Sequence, residues 1–144
     1  QFKQYFQDLQ YALPNGDNLK YDEFKTIRTT NKIDELPAVQ LLSTLKETYS
    51  LYIISNTSES HIAQLKAKFT LFSNFEYIIT SEAAKSSKPS IEIFNYALNK
   101  TGAVAESSVF IDDLASNVSI AKTIGFKAHH YKDYEGFDRF ISSF

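Results

Sequence analysis

The feature that most constrains the fold is a series of short apolar runs that alternate with helical patterns from residue 51 to the end of the chain. The run Leu51–Ile54 is β-branched and aromatic without polar alternation, which is typical of a strand covered on both faces in a parallel sheet. Further strands are predicted at Tyr77–Thr80, Val109–Ile111 and Lys127–Tyr131. Strands that alternate with helices predict a doubly wound parallel α/β sheet.

Helical patterns fill the first third of the chain and the gaps between the strands. Apolar residues recur at spacings of three and four over Gln1–Leu13, and Pro14-Asn15-Gly16 ends that stripe. A second helix is expected near Tyr21 and a third over Pro37–Glu47. Between and after the strands, helices are predicted through Phe69, from Pro89 to Gly102, over Val118–Ile124 and over Tyr134–Phe144.

Composition excludes several classes of function. The 15 basic and 17 acidic residues are spread along the chain, so neither a nucleic-acid footprint nor a polybasic membrane patch is present. The chain contains no cysteine, which excludes disulfides, thiolate zinc sites and a cysteine nucleophile. No apolar run approaches the roughly 20 residues that span a bilayer, and no signal peptide is recognisable, so the cytoplasm is the default expectation.

Polar residues follow the predicted strands where ligands bind in an open parallel sheet, beyond the carboxyl ends of the strands. Ser55 and Asn56 follow the first strand, and free backbone N–H groups at Asn56 and Thr57, at a helix N-terminus, would offer donors to phosphate oxygens. Asp112 and Asp113 follow the third strand, where adjacent carboxylates favour a cation such as Mg²⁺. Lys88 precedes a predicted helix.

Each of these groups also has a structural interpretation. Ser55 could simply cap the following helix, and Lys88 could be a solvated surface charge. The pair Asp112-Asp113 could be a helix N-cap followed by a first-turn acid. The three histidines, His61, His129 and His130, have no partner at triad or metal-ligand spacing, so no chemistry is assigned to them.

Taken together, the motifs resemble those of the haloacid dehalogenase (HAD) superfamily. Ile53-Ile54-Ser55-Asn56-Thr57, Lys88-Pro89 and Val109-Phe110-Ile111-Asp112-Asp113 with Asn117 are similar to its motifs II, III and IV, in that order. The subgroup that the chain most resembles contains α-D-glucose-1-phosphate phosphatase and the N-terminal phosphatase domain of soluble epoxide hydrolases. The resemblance implies a HAD-like Rossmannoid core over residues 37–144 and a partial small helical cap over residues 1–36.

The resemblance also implies a role for each site residue. Ser55 and the backbone of Asn56 would bind the transferring phosphoryl group, and Lys88 would be the catalytic cation that neutralises phosphate and orients the nucleophile. Asp113 and Asp112 would hold Mg²⁺, and Asn117 would support them from behind, near Lys88 and the motif IV loop. The substrate would be a small phosphorylated metabolite of unknown identity, and the oligomeric state is left open.

The attacking aspartate of the family is not in the sequence. HAD phosphatases use an Asp-x-Asp pair after a first strand, and no two aspartates in this chain are two residues apart. With no initiator methionine, we expect the chain to be a fragment whose nucleophile lies upstream, so that it is inactive alone. The alternative is a non-catalytic HAD relative that binds phosphate or a protein; a dehalogenase, usually independent of magnesium, ranks third.

The missing motif I strand also makes a prediction about the sheet. In the HAD fold that strand lies between the strand that ends at Ser55 and the one that ends at Asp112. We therefore expect the segment upstream to fill the gap, another chain to donate a strand, or strands 51–54 and 109–111 to pair directly.

Overall fold

The computed structural model describes residues 6–7, 10–11, 14–18, 20–23 and 37–144. The chain divides into two compact units, Gln1–Glu35 and Leu36–Phe144. In the first unit the described positions of the two predicted helices are helical, and Gly16–Asn18 forms a 3₁₀ turn. The Phe6 ring packs edge-on against Tyr21 with centroids 5.2 Å apart. The rest of both predicted helices lies outside the described residues.

The second unit alternates strands and helices from residue 52, as the apolar pattern predicts. The strands are β1 (Tyr52–Ser55), β2 (Tyr77–Thr80), β3 (Val109–Asp112) and β4 (Lys127–His130). The α-helices are α1 (Leu42–Leu45), α2 (Glu59–Lys68), α3 (Ser81–Ala84), α4 (Ile91–Thr101), α5 (Ala115–Ile124) and α6 (Tyr134–Ile141). Short 3₁₀ turns occupy Pro37–Leu41, Thr70–Asn74 and Ala105–Ser107.

Helix boundaries follow local backbone chemistry. Gly125, at φ 108°, ends α5 in a conformation that residues with a Cβ rarely adopt. The single helix predicted over Pro37–Glu47 is instead a 3₁₀ turn followed by the short α1. A tight i→i+3 turn is frequent at a helix N-terminus, and the β-branched Val39 in that turn lowers the α-helical preference.

The four strands form two separate parallel pairs. In the first pair Tyr52 lies opposite Tyr77 and Ser55 opposite Thr80. In the second pair β3 and β4 run together in the same way, so that Asp112 lies opposite His130. Among the described strands β1 does not pair with β3, so the direct pairing that we considered is wrong.

One helix covers both strand pairs. The buried face of α4, formed by Ile93, Phe94 and Ala97, packs in one cluster with Ile79 of β2 and Phe110 of β3. The rings of Phe94 and Phe110 meet edge-on with centroids 5.1 Å apart. The shared core on α4 therefore holds the two pairs in one unit, although no backbone hydrogen bond joins them within the described part of the chain.

The strands are less buried than their apolar patterns predict. Every residue of β1 is half-buried, and Val109 and Ile111 of β3 are 39% and 36% exposed. Within the described residues, each of these strands has a neighbour on one side only, so side chains beside the open edge stay in contact with water. Across the described residues, none of the helices has the length and apolar character needed to cross a bilayer.

Candidate phosphate-binding site

Hydrogen bonds between the carboxyl ends of β1 and β3 and the loop before α4 join four of the predicted site residues, namely Asn56, Lys88, Asp112 and Asn117. The Lys88 ammonium lies 2.6 Å from the Oδ2 of Asp112. Both side chains are largely buried, with 13% of Lys88 and 4% of Asp112 exposed. The Phe110 ring covers one side of the ammonium, with Nζ 5.7 Å from the ring centroid. Lys88 is therefore a buried, paired cation rather than a solvated surface charge.

Both oxygens of Asp112 are used within the protein. Oδ1 accepts from the backbone N–H of Leu114 at 2.9 Å and from Nδ2 of Asn117 at 2.8 Å, and Oδ2 faces Lys88. Burial raises the pKa of Asp112, but the hydrogen bonds from Lys88, Leu114 and Asn117 outweigh it and hold that pKa below its usual value. The carboxylate is therefore ionised throughout the neutral range.

We expected a metal ion to neutralise the charge of the Asp112-Asp113 pair. At Asp112 the ammonium of Lys88 does so. The ammonium comes from a residue 24 positions away in the sequence, and it contacts Asp112 only. Leu114, with no side-chain cap, is the N-cap of α5, so the interpretation of Asp112 as the helix cap is wrong. Asn117 is 2% exposed, and its Oδ1 has no described hydrogen-bond partner.

Asp113 differs from its neighbour because its carboxylate is exposed and free of described hydrogen bonds or ion pairs. Its backbone carbonyl accepts a hydrogen bond from Nε2 of His130 at 2.9 Å. No role was predicted for His130, because its place beside Asp112 depends on the pairing of β3 with β4, which residue spacing does not specify. His130 thus fixes the Asp113 peptide while the carboxylate points away from protein partners.

Ser55 is not the cap of the following helix. Helix α2 begins at Glu59, and the hydroxyl of Ser58 accepts from the His61 N–H at 3.3 Å as its N-cap. The Ser55 hydroxyl has no hydrogen-bond partner among residues that the structure describes. The backbone N–H of Thr57, which we expected to be free, donates to the Ser55 carbonyl at 2.9 Å.

Asn56 is held through its side chain. Its Oδ1 accepts from the backbone N–H of Lys88 at 2.7 Å, and its Nδ2 donates to the Lys88 carbonyl at 2.8 Å. The predicted contribution of Asn56 to phosphate binding through its own backbone remains a prediction, whereas the side chain is committed to the loop that carries Lys88.

A divalent cation would find one free carboxylate here. In the parts of the chain that the structure covers, no three His, Asp or Glu side chains are grouped to hold a metal. Mg²⁺ usually binds one or two carboxylates and completes its shell with phosphate oxygens and water. Asp113 fits that requirement, whereas Asp112 would have to share an oxygen that already faces Lys88.

Sequence comparison assigns the chain to a family. Residues 2–130 match the model of the haloacid dehalogenase-like hydrolases, and the chain belongs to this family. No curated protein matches the sequence significantly. The family resemblance stated from motifs II to IV is therefore confirmed, while the glucose-1-phosphate phosphatase subgroup remains a prediction.

Several solved structures share the fold of this chain. A variant of a HAD family enzyme from Bacteroides thetaiotaomicron, in complex with magnesium and inorganic phosphate, is 22% identical with a TM-score of 0.79, over 96% of this chain and 73% of that one. A predicted HAD-like hydrolase from Porphyromonas gingivalis is 22% identical with a TM-score of 0.78, over 98% and 71%. A dehalogenase solved with an intermediate is 22% identical with a TM-score of 0.69, over 88% and 58%. At these identities the shared property is the α/β HAD-like fold.

Proposed function

We propose that this chain carries the phosphate-binding part of a magnesium-dependent phosphohydrolase that acts on a small phosphorylated metabolite in the cytoplasm. The observation that carries the proposal is the position of Lys88, a buried ammonium held at the carboxyl ends of the strands beside Asp112. A cation fixed in this way stabilises the negative charge of a phosphoryl group better than a mobile surface lysine, because it needs no reorganisation when the ligand arrives.

Ser55 would be the second phosphate ligand. Its hydroxyl lies at the end of β1 and has no described partner within the protein, so it is free to donate to a phosphate oxygen. The alternative role as helix cap belongs to Ser58. A hydroxyl without a described internal partner at the end of β1, one residue before the Asn56 that contacts Lys88, is suited to an oxyanion.

Asp113 would be the residue that holds Mg²⁺. Its carboxylate is exposed and unpaired among the described residues, and its backbone is held by His130. The relative from B. thetaiotaomicron was solved with both magnesium and inorganic phosphate, which makes this pair of ligands the natural one to test. When bound, the metal would neutralise charge on the phosphate oxygens.

The nucleophile in this proposal comes from outside the printed sequence. Hydrolysis through an aspartyl-phosphate needs an attacking carboxylate and a second acid for proton transfer, and the chain has no Asp-x-Asp pair. The chain alone would therefore bind phosphate without turning over a phosphomonoester.

Calorimetric titration with inorganic phosphate in the presence of Mg²⁺ tests the binding site. We expect Lys88→Met to abolish measurable binding and Ser55→Ala to weaken it about tenfold, the loss of one good hydrogen bond to a charged group. Lys100→Met, at an exposed lysine of α4, is the matched control and should leave the affinity unchanged. Equal affinity in wild type and Lys88→Met would overturn the proposal.

A second function is favoured by the missing Asp-x-Asp pair, namely a HAD relative that binds phosphate or a protein without catalysis. The two candidates differ in the coding region upstream of residue 1. An apolar strand followed by Asp-x-Asp there, with magnesium-dependent hydrolysis of p-nitrophenyl phosphate by the longer protein, supports the hydrolase. Phosphate binding without that motif supports the non-catalytic relative, and 2-haloacid turnover would instead indicate a dehalogenase.

A further inference from the structure

We infer that the side-chain amide of Asn56 is a positioning residue that fixes the backbone of Lys88 and thereby aims its ammonium at the ligand. The inference rests on the proposed phosphate site, but it concerns the side chain of Asn56, whereas the prediction concerned its backbone. Sequence analysis placed Asn56 among the phosphate ligands through its backbone, whereas the observation here is a two-point contact between its side chain and the main chain of a residue 32 positions away.

The contact engages both the donor and the acceptor of the Lys88 backbone. Lys88 has one backbone donor and one backbone acceptor, and the Asn56 amide meets the donor at 2.7 Å and the acceptor at 2.8 Å. An amide that satisfies both groups copies the pairing of a neighbouring strand. The two contacts also fix which end of the amide is oxygen, because the N–H of Lys88 requires an acceptor and its carbonyl requires a donor.

The result is a lysine held at both ends. Asn56 holds its main chain, and Asp112 receives its ammonium at 2.6 Å. Asp112 is held in turn by Asn117 at 2.8 Å. A continuous line of hydrogen bonds therefore runs from the end of β1 to the start of α5, across the space between two strand pairs that share no described backbone bond.

Only an amide of this length can make the contact. A leucine has a similar shape but no polar atoms, so the backbone of Lys88 would pair with water and the loop would sample other conformations. An aspartate would keep the acceptor but place a carboxylate oxygen against the Lys88 carbonyl. Because both ends of the Asn56 amide contact the backbone of Lys88, we assign its side chain to the loop that carries Lys88.

The test compares Asn56→Leu and Asn56→Ala with Asn74→Leu. Asn74 is the matched control because its Nδ2 also donates to a backbone carbonyl, that of Leu71 at 2.9 Å, at the amino end of β2 and away from the site. The first measurement is the ¹⁵N-detected signal of the Lys88 ammonium, whose exchange with solvent reports the ion pair with Asp112. We expect both Asn56 variants to accelerate that exchange about tenfold, as loss of roughly one net hydrogen bond would, and Asn74→Leu to leave it unchanged.

The second measurement is the affinity for inorganic phosphate with Mg²⁺. We expect it to fall about tenfold in both Asn56 variants and to stay at the wild-type value in Asn74→Leu. If wild type binds no phosphate, the proposed function fails, while the ammonium exchange still decides the positioning role. Folded Asn56 variants whose Lys88 ammonium exchanges within twofold of wild type would overturn the inference, as would an equal acceleration in Asn74→Leu.

Discussion

Replacing Lys88 by methionine isolates the energetic role of the buried ion pair. At 2.6 Å and an effective dielectric constant of about 20, the attraction between the two charges is about 6 kcal/mol before desolvation is subtracted. Desolvation offsets much of that attraction, but removal of one partner leaves the other charge buried, which costs about 3–5 kcal/mol. Asp112 keeps its uncharged donors, the N–H of Leu114 and the Asn117 amide, so we expect the lower end, about 3 kcal/mol.

Urea unfolding of wild type, Lys88→Met and Arg139→Met at pH 7 measures this cost. Arg139 is the matched control because its pair with Glu135 is exposed, at 3.6 Å with 74% and 87% of the side chains in solvent. An exposed pair of this kind contributes less than about 1 kcal/mol. In a thermal scan, the expected loss for Lys88→Met corresponds to a Tm about 10 °C lower for a chain of this size.

The pH dependence gives the sharper test. The pKa of Asp112 is lowered in the folded protein, so its stabilising contribution is complete above the unfolded pKa of about 4 and is lost as pH falls through the folded value. Without Lys88, the pKa of Asp112 loses its largest lowering contact and rises above that of wild type. The destabilisation by Lys88→Met should therefore be complete at neutral pH and shrink as the pH falls below about 4. A loss below about 1 kcal/mol at neutral pH, or one that does not shrink between about pH 4 and about pH 2.5, would refute the reasoning.

Three further substitutions test the architecture. Phe94→Ala should cost about 3–5 kcal/mol because a fully buried ring that faces Phe110 and Phe126 is removed, whereas Val104→Ala, at a residue 58% exposed, should cost under about 1 kcal/mol in the same urea titration. Gly125→Ala, at φ 108° with a new Cβ 3.2 Å from a Glu106 oxygen, should destabilise by about 1–3 kcal/mol and by more than Gly102→Ala, at φ 72° with open space around it; equal losses in thermal scans would contradict this. Asp113→Asn should weaken Mg²⁺ binding in calorimetry and leave the unfolding free energy nearly unchanged, while Asp112→Asn should lower stability; the reverse order would show that the two carboxylates have been misassigned.

The strands and their shared edge were predictable from the sequence. β2 has the predicted bounds, and β1 ends one residue later than predicted, at Ser55. Apolar β-branched runs identify strands clearly, whereas the residue at which a strand ends depends on its hydrogen bonds with the neighbouring strand. The meeting of Lys88 with Asp112 follows from a general property of parallel sheets, whose carboxyl ends face the same side.

The finer contacts depend on loop conformation and could not be predicted in this way. Ser55 was the candidate cap named from the sequence, whereas the observed cap, Ser58, depends on the backbone turn at Thr57. The pairing of Asn56 with Lys88 joins positions 32 residues apart in two irregular segments, where no periodicity carries a signal. The sequence predicted that the strands run parallel but not which strands pair, because each pairing depends on the other strands in the sheet.

The ion pair also sets how many donors the site can offer. A lysine ammonium has three N–H bonds, and Asp112 receives one of them at 2.6 Å. The Phe110 ring lies on another side of the nitrogen, 5.7 Å away. Two N–H bonds remain beyond the contact with Asp112. In the proposed phosphate site an oxyanion would accept those two hydrogen bonds without displacing Asp112, which would favour a ligand with neighbouring oxygens over one with a single charged atom.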